Sequence, residues 1–461
     1  MHPRTPSTMQ HLFDRYCGFH RVAPDGTVHE TFTRHITVAP DVSERVPEVL
    51  DALVGSGRIA VFFDTNTRRV AGDALLATLD SAGRAFTTFL LEPRDGEDIV
   101  VCDEARIDDV EAMLTTDTFV HAIAVGSGTI NDLVKMASFR RDLAYSAVGT
   151  APSMNGYTSS IAAILSDGIK TTQPCRAPLA VFADPEVMAE APYRMIASGL
   201  GDLYSKPVSN ADWRLSHRLL GSFHSDIVME IVEAGSALLD GVAPRLPSRD
   251  RDAVARLTGA IMLSGLAMQA AGTSGPASGG EHLVSNYIDM TAHAWDQTHD
   301  FHGCQVAVGT VTTSRLYEEV RALDPATIDV DALVARHQPW PEYADVLRER
   351  FGDLSDAVLS HAEKGYPSRD ELRGRLETLV ANWDDVMNDV GTTLRTSDDL
   401  RAELVSAECP VTFPELDVDR DRALAAVRWS KDIRARYTIL HLAAELGVLD
   451  DFAVRWVDAQ F

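Results

Sequence analysis

The stretch His121-Ala-Ile-Ala-Val-Gly-Ser-Gly-Thr-Ile-Asn-Asp132 joins a short apolar run to a turn with two glycines. A helical pattern follows over residues 132–138, so the order is strand, turn and helix. The run Arg58-Ile-Ala-Val-Phe-Phe-Asp64 precedes a helical pattern over 70–79 in the same way, and 85–91 is a further strand candidate. Strands that alternate with helices predict an α/β fold with a Rossmann-like, doubly wound parallel sheet.

The second half of the sequence has a different character. The strand signal fades after about residue 186, and from residue 193 the pattern is helical almost to the end. Long amphipathic runs lie at 250–269, 341–359 and 419–446. We therefore expect an N-terminal extension, a nucleotide-type α/β domain and an all-α domain, over residues 1–35, 36–186 and 187–461. The active site is expected in the cleft between the two domains.

The composition excludes two classes of partner. The 461 residues include 42 Lys and Arg against 68 Asp and Glu, a formal net charge of 42 − 68 = −26. Such a charge repels phosphate backbones and anionic lipids, and no basic patch offsets it, so neither nucleic acid nor a membrane is expected as a partner. The five cysteines are far apart and form no CxxC pair, which fits a reducing cytoplasm.

One apolar stretch is long enough to span a bilayer. No charged residue occurs over 257–280. Its second half, Ala270-Ala-Gly-Thr-Ser-Gly-Pro-Ala-Ser-Gly-Gly280, is a loop by its content of Gly, Ser and Pro. We expect a buried core helix followed by a tight polar loop. Residues 1–21 have no apolar run, so no signal peptide is expected there.

Two features of the first half suit a nucleotide. Gly126 and Gly128 would let backbone N–H groups approach a pyrophosphate at the amino end of a helix. Asn131 stands where the third glycine of a GxGxxG motif would be, so an ordinary turn with Asn131 or Asp132 as N-cap is the alternative. Asp64 ends the first strand, where an acid can accept hydrogen bonds from ribose hydroxyls or cap a turn.

A loop further along offers small hydroxyl side chains. Thr150-Ala-Pro-Ser-Met-Asn-Gly-Tyr-Thr-Ser-Ser160 follows the apolar run 144–148 and is constrained by Pro and Gly. At a predicted sheet edge it suits hydrogen bonding to a cofactor or substrate. A plain connecting loop is the alternative.

Three residues of the helical half could bind a metal. Asp202 has Lys206 one helical turn away. His282 lies two residues after the charge-free stretch, and His302 lies twenty residues later. Two imidazoles and one carboxylate suit a divalent transition metal and leave positions open for a substrate oxygen. By spacing alone, ordinary surface or core histidines are the alternative.

These segments occur along the chain in an order that identifies a protein family more specifically than any one segment does. The motifs are Gly126-Ser-Gly-Thr-Ile-Asn-Asp132, Thr150-Ala-Pro-Ser-Met-x-Gly156, Gly201-Asp202-x-x-x-Lys206, Gly279-x-Glu281-His282, His302-Gly303 and Asp432-Ile-Arg-Ala-Arg-Tyr-Thr-Ile-Leu440. Together, over about residues 34–449, they resemble the sn-glycerol-1-phosphate dehydrogenase family, including its bacterial arabinose-operon branch. That family belongs to the superfamily of iron-containing alcohol dehydrogenase, glycerol dehydrogenase and dehydroquinate synthase.

The resemblance implies a cofactor, a metal and the residues that bind them. The cofactor is NAD or NADP, and the residues implied for it are Asp64, Gly126, Ser127, Gly128, Thr129, Ile130, Thr150, Ala151, Pro152, Ser153 and Ser159. One divalent metal, zinc or nickel with iron as a further candidate, is implied for the catalytic residues Asp202, His282 and His302. The residues implied on the substrate side are Asn155, Asp202, Lys206 and Asn286.

The chain departs from the family at three positions. Asn155 replaces an Asp that contacts substrate, Asn286 replaces a His one turn after the first metal His, and Gly275 replaces the Arg of a Ser-Arg-Pro loop. These changes alter the charge and the groups available for proton transfer. Because an amide can donate a hydrogen bond and carries no charge, we expect a substrate more anionic or less hydroxylated than glycerol 1-phosphate. Drift without a change of specificity is the alternative.

The sequence thus predicts a metal-dependent, NAD(P)-linked dehydrogenase. It would transfer hydride between nicotinamide and a small phosphorylated or anionic polyol or carbonyl compound, such as a phosphonate or carboxylate carbonyl compound. One alternative is a dehydroquinate-synthase-like cyclase, which consumes and regenerates NAD within one turnover. The other is a binding homologue without turnover. A small anionic substrate and a second copy of the chain, in a homodimer, are the expected partners.

Overall fold

The computed structural model describes residues 6–166 and 169–461. The chain forms two compact units. The first runs to Leu203 and also contains Asp226–Ser274, and the second comprises Tyr204–Ser225 and Gly275–Phe461. The domain boundary expected at residue 186 separates the part of the sequence that contains strands from the part that is all helical, and this boundary stays a prediction. Residues 1–5 of the expected N-terminal extension lie outside the described residues.

The first unit contains the strands of the structure. They are β1 (His20–Val22), β2 (Val28–Glu30), β3 (His35–Val38), β4 (Ile59–Phe63), β5 (Phe86–Leu90), β6 (His121–Gly126), β7 (Tyr145–Gly149), β8 (Ile161–Ser166), β9 (Ile169–Pro174) and β10 (Ala180–Ala183). Six of them form a parallel sheet in the order β3-β10-β7-β6-β4-β5. The predicted doubly wound sheet is confirmed.

Burial on both faces explains why the apolar runs become central strands. Every residue of β4, β6 and β7 is buried, as a parallel sheet covered by helices requires. Phe63 and Val61 of β4 pack in one core cluster with Ile123 and Val125 of β6. Full burial of one such side chain contributes about 1.5–3 kcal/mol.

The order of the sheet reverses between β4 and β6. The next strand in sequence after β4 is β5, which pairs on one side of it, whereas β6 pairs on the other side. Ligands of open α/β sheets bind beyond the carboxyl ends of the strands at such a switch point. Asp64 follows β4 and Gly126 ends β6, so the topology places both nucleotide candidates at one edge of the sheet.

The helices alternate with these strands and then continue alone. They are α1 (Pro6–Tyr16), α2 (Val46–Val54), α3 (Thr65–Thr67), α4 (Asp73–Ser81), α5 (Glu104–Met113), α6 (Gly128–Arg140), α7 (Pro185–Ala189), α8 (Tyr193–Tyr204), α9 (Lys206–Leu220), α10 (Asp226–Ser236), α11 (Arg251–Ala271), α12 (Gly280–Trp295), α13 (His302–Arg321), α14 (Val330–Arg336), α15 (Trp340–Phe351), α16 (Ser355–Gly365), α17 (Arg369–Ala381), α18 (Trp383–Gly391), α19 (Ser397–Ser406), α20 (Arg420–Trp429), α21 (Ile439–Glu445) and α22 (Leu449–Asp458). The second unit consists of α9 and α12 to α22 with their connections.

The charge-free stretch forms the core helix α11. Asp250 caps its amino end, and Gly272, with a φ of 64°, ends it. Among the described residues α11 is the one helix long and apolar enough to cross a membrane, yet 89% of its apolar window is buried inside the protein. The prediction of a buried core helix is confirmed.

Two expected helical runs are interrupted. The run 341–359 divides into α15 and α16 at Gly352, whose positive φ of 51° ends α15. The run 419–446 divides into α20 and α21, because a 3-10 turn over Ser430–Ile433 and extended backbone at Arg434 separate them. Amphipathic spacing continues across both breaks, so periodicity alone does not locate them.

Candidate metal and nucleotide site

The turn after β6 leads directly into α6. The helix begins at Gly128, so Asn131 and Asp132 lie inside it and neither is its N-cap. Ser127 is the N-cap, and its side chain makes no capping hydrogen bond. Because the first N–H groups of a helix have no partner within it, this uncapped end is suited to an anion.

The two glycines of this turn have different roles. A Cβ at Gly126 would lie 2.6 Å from the Cβ of Ile130, so glycine is needed for β6 to pass this close to α6. A Cβ at Gly128 would meet no atom closer than the Cε of Met154, at 3.7 Å, beyond its chain neighbours. A Cβ would thus fit at Gly128 in ordinary van der Waals contact with Met154, and the backbone there leaves room for the approach of a pyrophosphate.

The loop after β7 packs on the same turn. The hydroxyl oxygens of Ser153 and Ser127 share a hydrogen bond of 2.6 Å. Tyr157 donates its hydroxyl to the main-chain oxygens of Gly126, at 3.2 Å, and Ala151, at 2.8 Å. Predicted cofactor residues brought together on the turn and loop are Gly126, Ser127, Gly128, Thr129, Ile130, Thr150, Ala151, Pro152 and Ser153.

Lys135 holds the end of this loop. Its buried Nζ donates to Oδ1 of Asp132 at 3.1 Å and to the main-chain oxygens of Gly156 and Ile161 at 2.8 and 2.9 Å. Ser159 donates to the same two oxygens, at 2.9 and 3.1 Å, so its hydroxyl shapes the loop. A buried ammonium group that serves three acceptors fixes the loop conformation. Sequence reasoning missed Lys135, although its position one helical turn after Asp132 was the available signal.

Asp64 caps the short helix α3. Its Oδ1 accepts from the Thr67 N–H at 2.7 Å, and its own N–H donates to the Thr67 hydroxyl at 3.0 Å. The capping alternative is therefore what the structure shows. The cap uses one carboxylate oxygen, and contact of the other with a ribose stays a prediction.

Asp202 is a buried carboxylate on α8 in the first unit. Its Oδ2 accepts from the Asn155 N–H at 2.8 Å, and its Oδ1 accepts from the Asn155 Nδ2 at 3.0 Å. The helix lies close to the cofactor loop, since a Cβ at Gly199 would stand 1.7 Å from the main-chain oxygen of Pro152. An Asp at position 155 would bring a second carboxylate against Asp202 and remove a donor.

His282 and His302 face each other in the second unit. His282 lies in the first turn of α12, and His302 is the first residue of α13. Their ring centroids are 5.2 Å apart, and a nitrogen of one ring lies within 4.8 Å of a nitrogen of the other. The helices approach at Gly309, where a Cβ would lie 2.4 Å from the main-chain oxygen of Glu281. Two imidazoles placed in this way are suited to share one ion.

Each of these rings is held through Nδ1. The Nδ1 of His282 bonds to Oε1 of Glu281 at 2.7 Å, and the Nδ1 of His302 bonds to the hydroxyl of Ser285 at 3.2 Å. Such bonds orient a ring so that Nε2 could serve as a ligand nitrogen. Oε2 of Glu281 is buried and has no hydrogen-bond partner among the described residues.

Asp212 joins the helices around this pair. It lies on α9 and accepts from the hydroxyl of Tyr317 on α13 at 2.6 Å, and from the N–H groups of Gly280 and Ile439 at 2.7 Å each. The two N–H groups open α12 and α21. Burial, and then the charge of Glu281, raise the pKa of Asp212 to about 7.

The charge around the imidazole pair suits a cation. Glu281 and Asp212 are neighbouring buried acids, and the guanidinium of Arg436 interacts electrostatically with both carboxyl groups. Burial lowers the pKa of Arg436. Two acids against one guanidinium, together with the unbonded Oε2 of Glu281, fit a divalent cation. The sequence analysis did not identify the roles of Glu281 and Asp212, although Glu281 stands in the quoted motif beside His282.

The remaining substrate candidates lie in the second unit. Lys206 begins α9 and is buried, with its Nζ 3.5 Å from the main-chain oxygen of Ala277. Asn286 is half-buried, one turn after His282 on α12. A Cβ at Gly275 would lie 3.1 Å from Nε1 of Trp213, so an arginine in its place would meet this indole.

We predict that Asp212→Asn changes how stability depends on pH. A raised pKa means that the native state keeps a proton that the unfolded chain releases, so wild-type stability falls as the pH rises from about 4 to about 7. One proton gives a slope of about 1.4 kcal/mol per pH unit. The variant lacks this pH-dependent loss, so its free energy of unfolding rises relative to that of wild type as the pH increases from about 4 to about 7.

Urea unfolding of both proteins across this range measures the effect. Asp370→Asn, at an exposed position on α17, is the control and should follow the wild-type curve. Parallel curves for wild type and Asp212→Asn would contradict the assignment of the raised pKa.

Sequence comparison places the chain among known enzymes. The family model of iron-containing alcohol dehydrogenase matches residues 37–192. The chain is 30% identical to glycerol-1-phosphate dehydrogenase (NAD(P)+) of Bacillus licheniformis over 92% of this chain and 92% of that protein. It is 31% identical to the enzyme of the same name from Bacillus velezensis, over 84% of this chain and 85% of that protein.

Structural comparison finds the same fold in solved dehydrogenase structures. Glycerol dehydrogenase from Schizosaccharomyces pombe aligns with a TM-score of 0.60 at 16% identity, over 93% of this chain and 91% of that chain. A probable glycerol dehydrogenase from Sinorhizobium meliloti aligns with a TM-score of 0.59 at 15% identity, over 92% and 98%. At such identities the likeness concerns the fold. The sequence identity to curated relatives extends over almost the whole of both chains, so this chain belongs to the glycerol-1-phosphate dehydrogenase family within the iron-containing alcohol dehydrogenases.

Proposed function

We propose that this NAD(P)-dependent oxidoreductase is a metal-dependent dehydrogenase of a small anionic polyol or carbonyl compound. Its relatives carry the name glycerol-1-phosphate dehydrogenase (NAD(P)+), so glycerone phosphate and glycerol 1-phosphate are the reference pair. The observation that carries the proposal is the imidazole pair of His282 and His302, in which the buried carboxylate of Glu281 holds Nδ1 of His282 and the Ser285 hydroxyl holds Nδ1 of His302.

The metal would be held by both imidazoles and by Asp202. The family resemblance supplies the third ligand, and the burial of the Asp202 carboxylate supports it. Two nitrogens and one oxygen suit zinc, nickel or iron and leave coordination positions for a substrate oxygen. The N–H groups at the start of α6 and the loop after β7 would hold the cofactor pyrophosphate. With both groups bound, the site would supply polarisation of a carbonyl oxygen and a hydride.

The chain's own residues prepare this site. Oε1 of Glu281 accepts a hydrogen bond from Nδ1–H of His282 and so keeps the ring in one orientation. Asn155 donates two hydrogen bonds to Asp202 and orients its carboxylate. Lys135 holds the loop that would line the cofactor. None of these three tasks needs a proton to move during turnover.

The substrate would differ from glycerol 1-phosphate near the reacting carbon. Asn155, Lys206 and Asn286 are the residues that we assign to the substrate side, with Asp202. A neutral amide at 155 and a buried ammonium at 206 favour an anionic group, such as a phosphonate or carboxylate, over an additional hydroxyl. Asn286 does not titrate, so the proton would come from elsewhere in the site or from solvent.

The setting of the reaction is also a proposal. The five cysteines all lie among the described residues and form no disulfide, which suits the reducing cytoplasm where we place the enzyme. A homodimer, a small anionic substrate, and no nucleic acid or membrane partner complete this expectation.

Loss of either imidazole should remove the metal. We predict that His282→Ala and His302→Ala lower metal content from about one ion per chain to a small fraction, because two ligands hold a divalent ion weakly. Glu281→Gln should weaken metal affinity by about 10- to 100-fold, since it alters only the partner of a ligand. Elemental analysis of the purified proteins measures both. His361→Ala, at a half-buried position on α16, should keep the metal, and full metal in the two ligand variants would reject the site.

A side chain at Gly128 should exclude the cofactor. Gly128→Val would place a branched side chain at the start of α6, where the pyrophosphate would lie, and weaken NADH and NADPH binding by about a hundredfold or more. Gly128→Ala adds a Cβ that the protein itself tolerates, so it should bind with intermediate affinity and unfold like wild type. Fluorescence titration measures cofactor affinity, with metal content as the check on folding. Equal affinity in all three proteins would count against this turn as the pyrophosphate site.

Restoring the acid at position 155 should shift substrate preference. Asn155→Asp should move the kcat/KM ratio by about tenfold or more toward glycerone phosphate and away from short phosphonate and carboxylate aldehydes or ketones. Oxidation of the reduced nicotinamide, followed by absorbance, measures each rate, and Asn382→Asp at an exposed position is the control. A wild type that strongly prefers glycerone phosphate, with little change in Asn155→Asp, would mean that the departures are drift.

A further inference from the structure

A cavity of about 460 Å³ lies within the second unit. It is lined by α14, α15, the connection between α16 and α17, the break between α20 and α21, and α21 itself. Its volume is in the range of sites for small molecules, which is about 300–1,000 Å³. The lining contains none of the residues that we assign to metal, cofactor or substrate.

The carboxylates that line this cavity are all neutralised. Each forms an ion pair with a neighbouring cation, and the pairs are Asp432–Lys431 at 2.7 Å, Asp450–Arg428 at 3.0 Å and Glu445–Arg375. Although burial opposes it, the Asp432 carboxylate raises the pKa of Lys431, so this ammonium stays charged. The acids therefore contribute no net negative charge to the cavity.

Three further arginines line the same space, namely Arg336, Arg350 and Arg434. Arg336 and Arg350 form no ion pair with any carboxylate of residues 6–166 and 169–461. Arg350 lies over the ring of Trp429, with its Cζ 5.2 Å from the ring centroid, and this cation–π contact favours one position of the guanidinium. In a chain of formal charge −26, this concentration of cations stands out as a binding surface for an anion.

An aromatic stack forms another wall of the cavity. The Tyr366 ring stacks between the rings of His337 and Tyr343. Its centroid lies 4.6 Å from that of His337, with an interplanar angle of 19°, and 4.4 Å from that of Tyr343, with an interplanar angle of 16°. The Tyr343 hydroxyl donates to the carboxylate of Asp432 at 2.8 Å, and the Tyr366 hydroxyl donates to the main-chain oxygen of Gln338 at 2.9 Å. The rings are thus locked in place and offer a preformed apolar surface to an organic group.

We propose that this cavity binds a phosphate monoester with a small organic body. Guanidinium groups match phosphate oxygens with paired N–H donors, and a dianion balances the charge of Arg336 and Arg350. The aromatic wall accommodates the organic part, which inorganic phosphate lacks. The proposal does not rest on the dehydrogenase reaction, because no residue assigned to that reaction lines the cavity.

Calorimetric titration of the full chain with ribose 5-phosphate tests the proposal. We expect saturable binding of ribose 5-phosphate, with a higher affinity than that of inorganic phosphate or citrate. The double variant Arg336→Gln/Arg350→Gln should bind about tenfold more weakly or worse, because two charged hydrogen-bonding partners are lost. Arg348→Gln is the matched control, since Arg348 lies on α15 with Arg350 but pairs with Asp345 outside the cavity.

Further variants distinguish binding in this cavity from binding at the catalytic site. Arg336→Gln alone changes an exposed residue, so it keeps the fold and should still weaken binding. His282→Ala should leave the affinity for ribose 5-phosphate unchanged, and its loss of metal would be scored independently. Absence of saturable binding by wild type, equal affinity in the double variant, tighter binding of citrate, or loss of binding in His282→Ala would each overturn the proposal.

Discussion

A single buried carboxylate organises the second unit around the imidazole pair. Asp212 accepts three hydrogen bonds, and they come from the side chain of Tyr317 on α13 and from the first turns of α12 and α21. His282 and His302 lie on α12 and α13, so their separation depends on this junction. Breaking a buried acid network of this kind costs several kcal/mol. The positions of the two imidazoles therefore depend on a residue that touches neither ring.

The first unit uses buried charge in a comparable way. Lys135 extends from α6 to the loop after β7 and satisfies two main-chain oxygens there, while Asp132 balances its charge. The loop and the uncapped start of α6 then form one surface at the switch point of the sheet. Rigid support for a binding loop reduces the entropy that a ligand must overcome. In each unit a buried ionisable residue behind the site fixes the groups at its surface.

The sequence predicts the elements whose signal is local. The apolar runs at β4 and β6 are recognisable because a parallel strand is buried on both faces, and the glycines after β6 mark the turn. β3 and β10, with four residues each, are too short for periodicity to distinguish. The helical start at Gly128 was missed because Asn131 and Asp132 are also good N-cap residues. Glu281, Asp212 and Lys135 act through contacts between distant segments, and no spacing along the chain predicts those.

An anomalous difference map from crystals of the purified protein, recorded at the absorption edge of the metal that it contains, would show directly whether the imidazole pair binds that metal. We expect one peak, about 2.0–2.2 Å from Nε2 of His282, Nε2 of His302 and a carboxylate oxygen of Asp202. Glu281 should still hold Nδ1 of His282 in that map. A metal bound elsewhere, or a peak that leaves either imidazole without a bond to it, would exclude the assignment of the metal to His282 and His302.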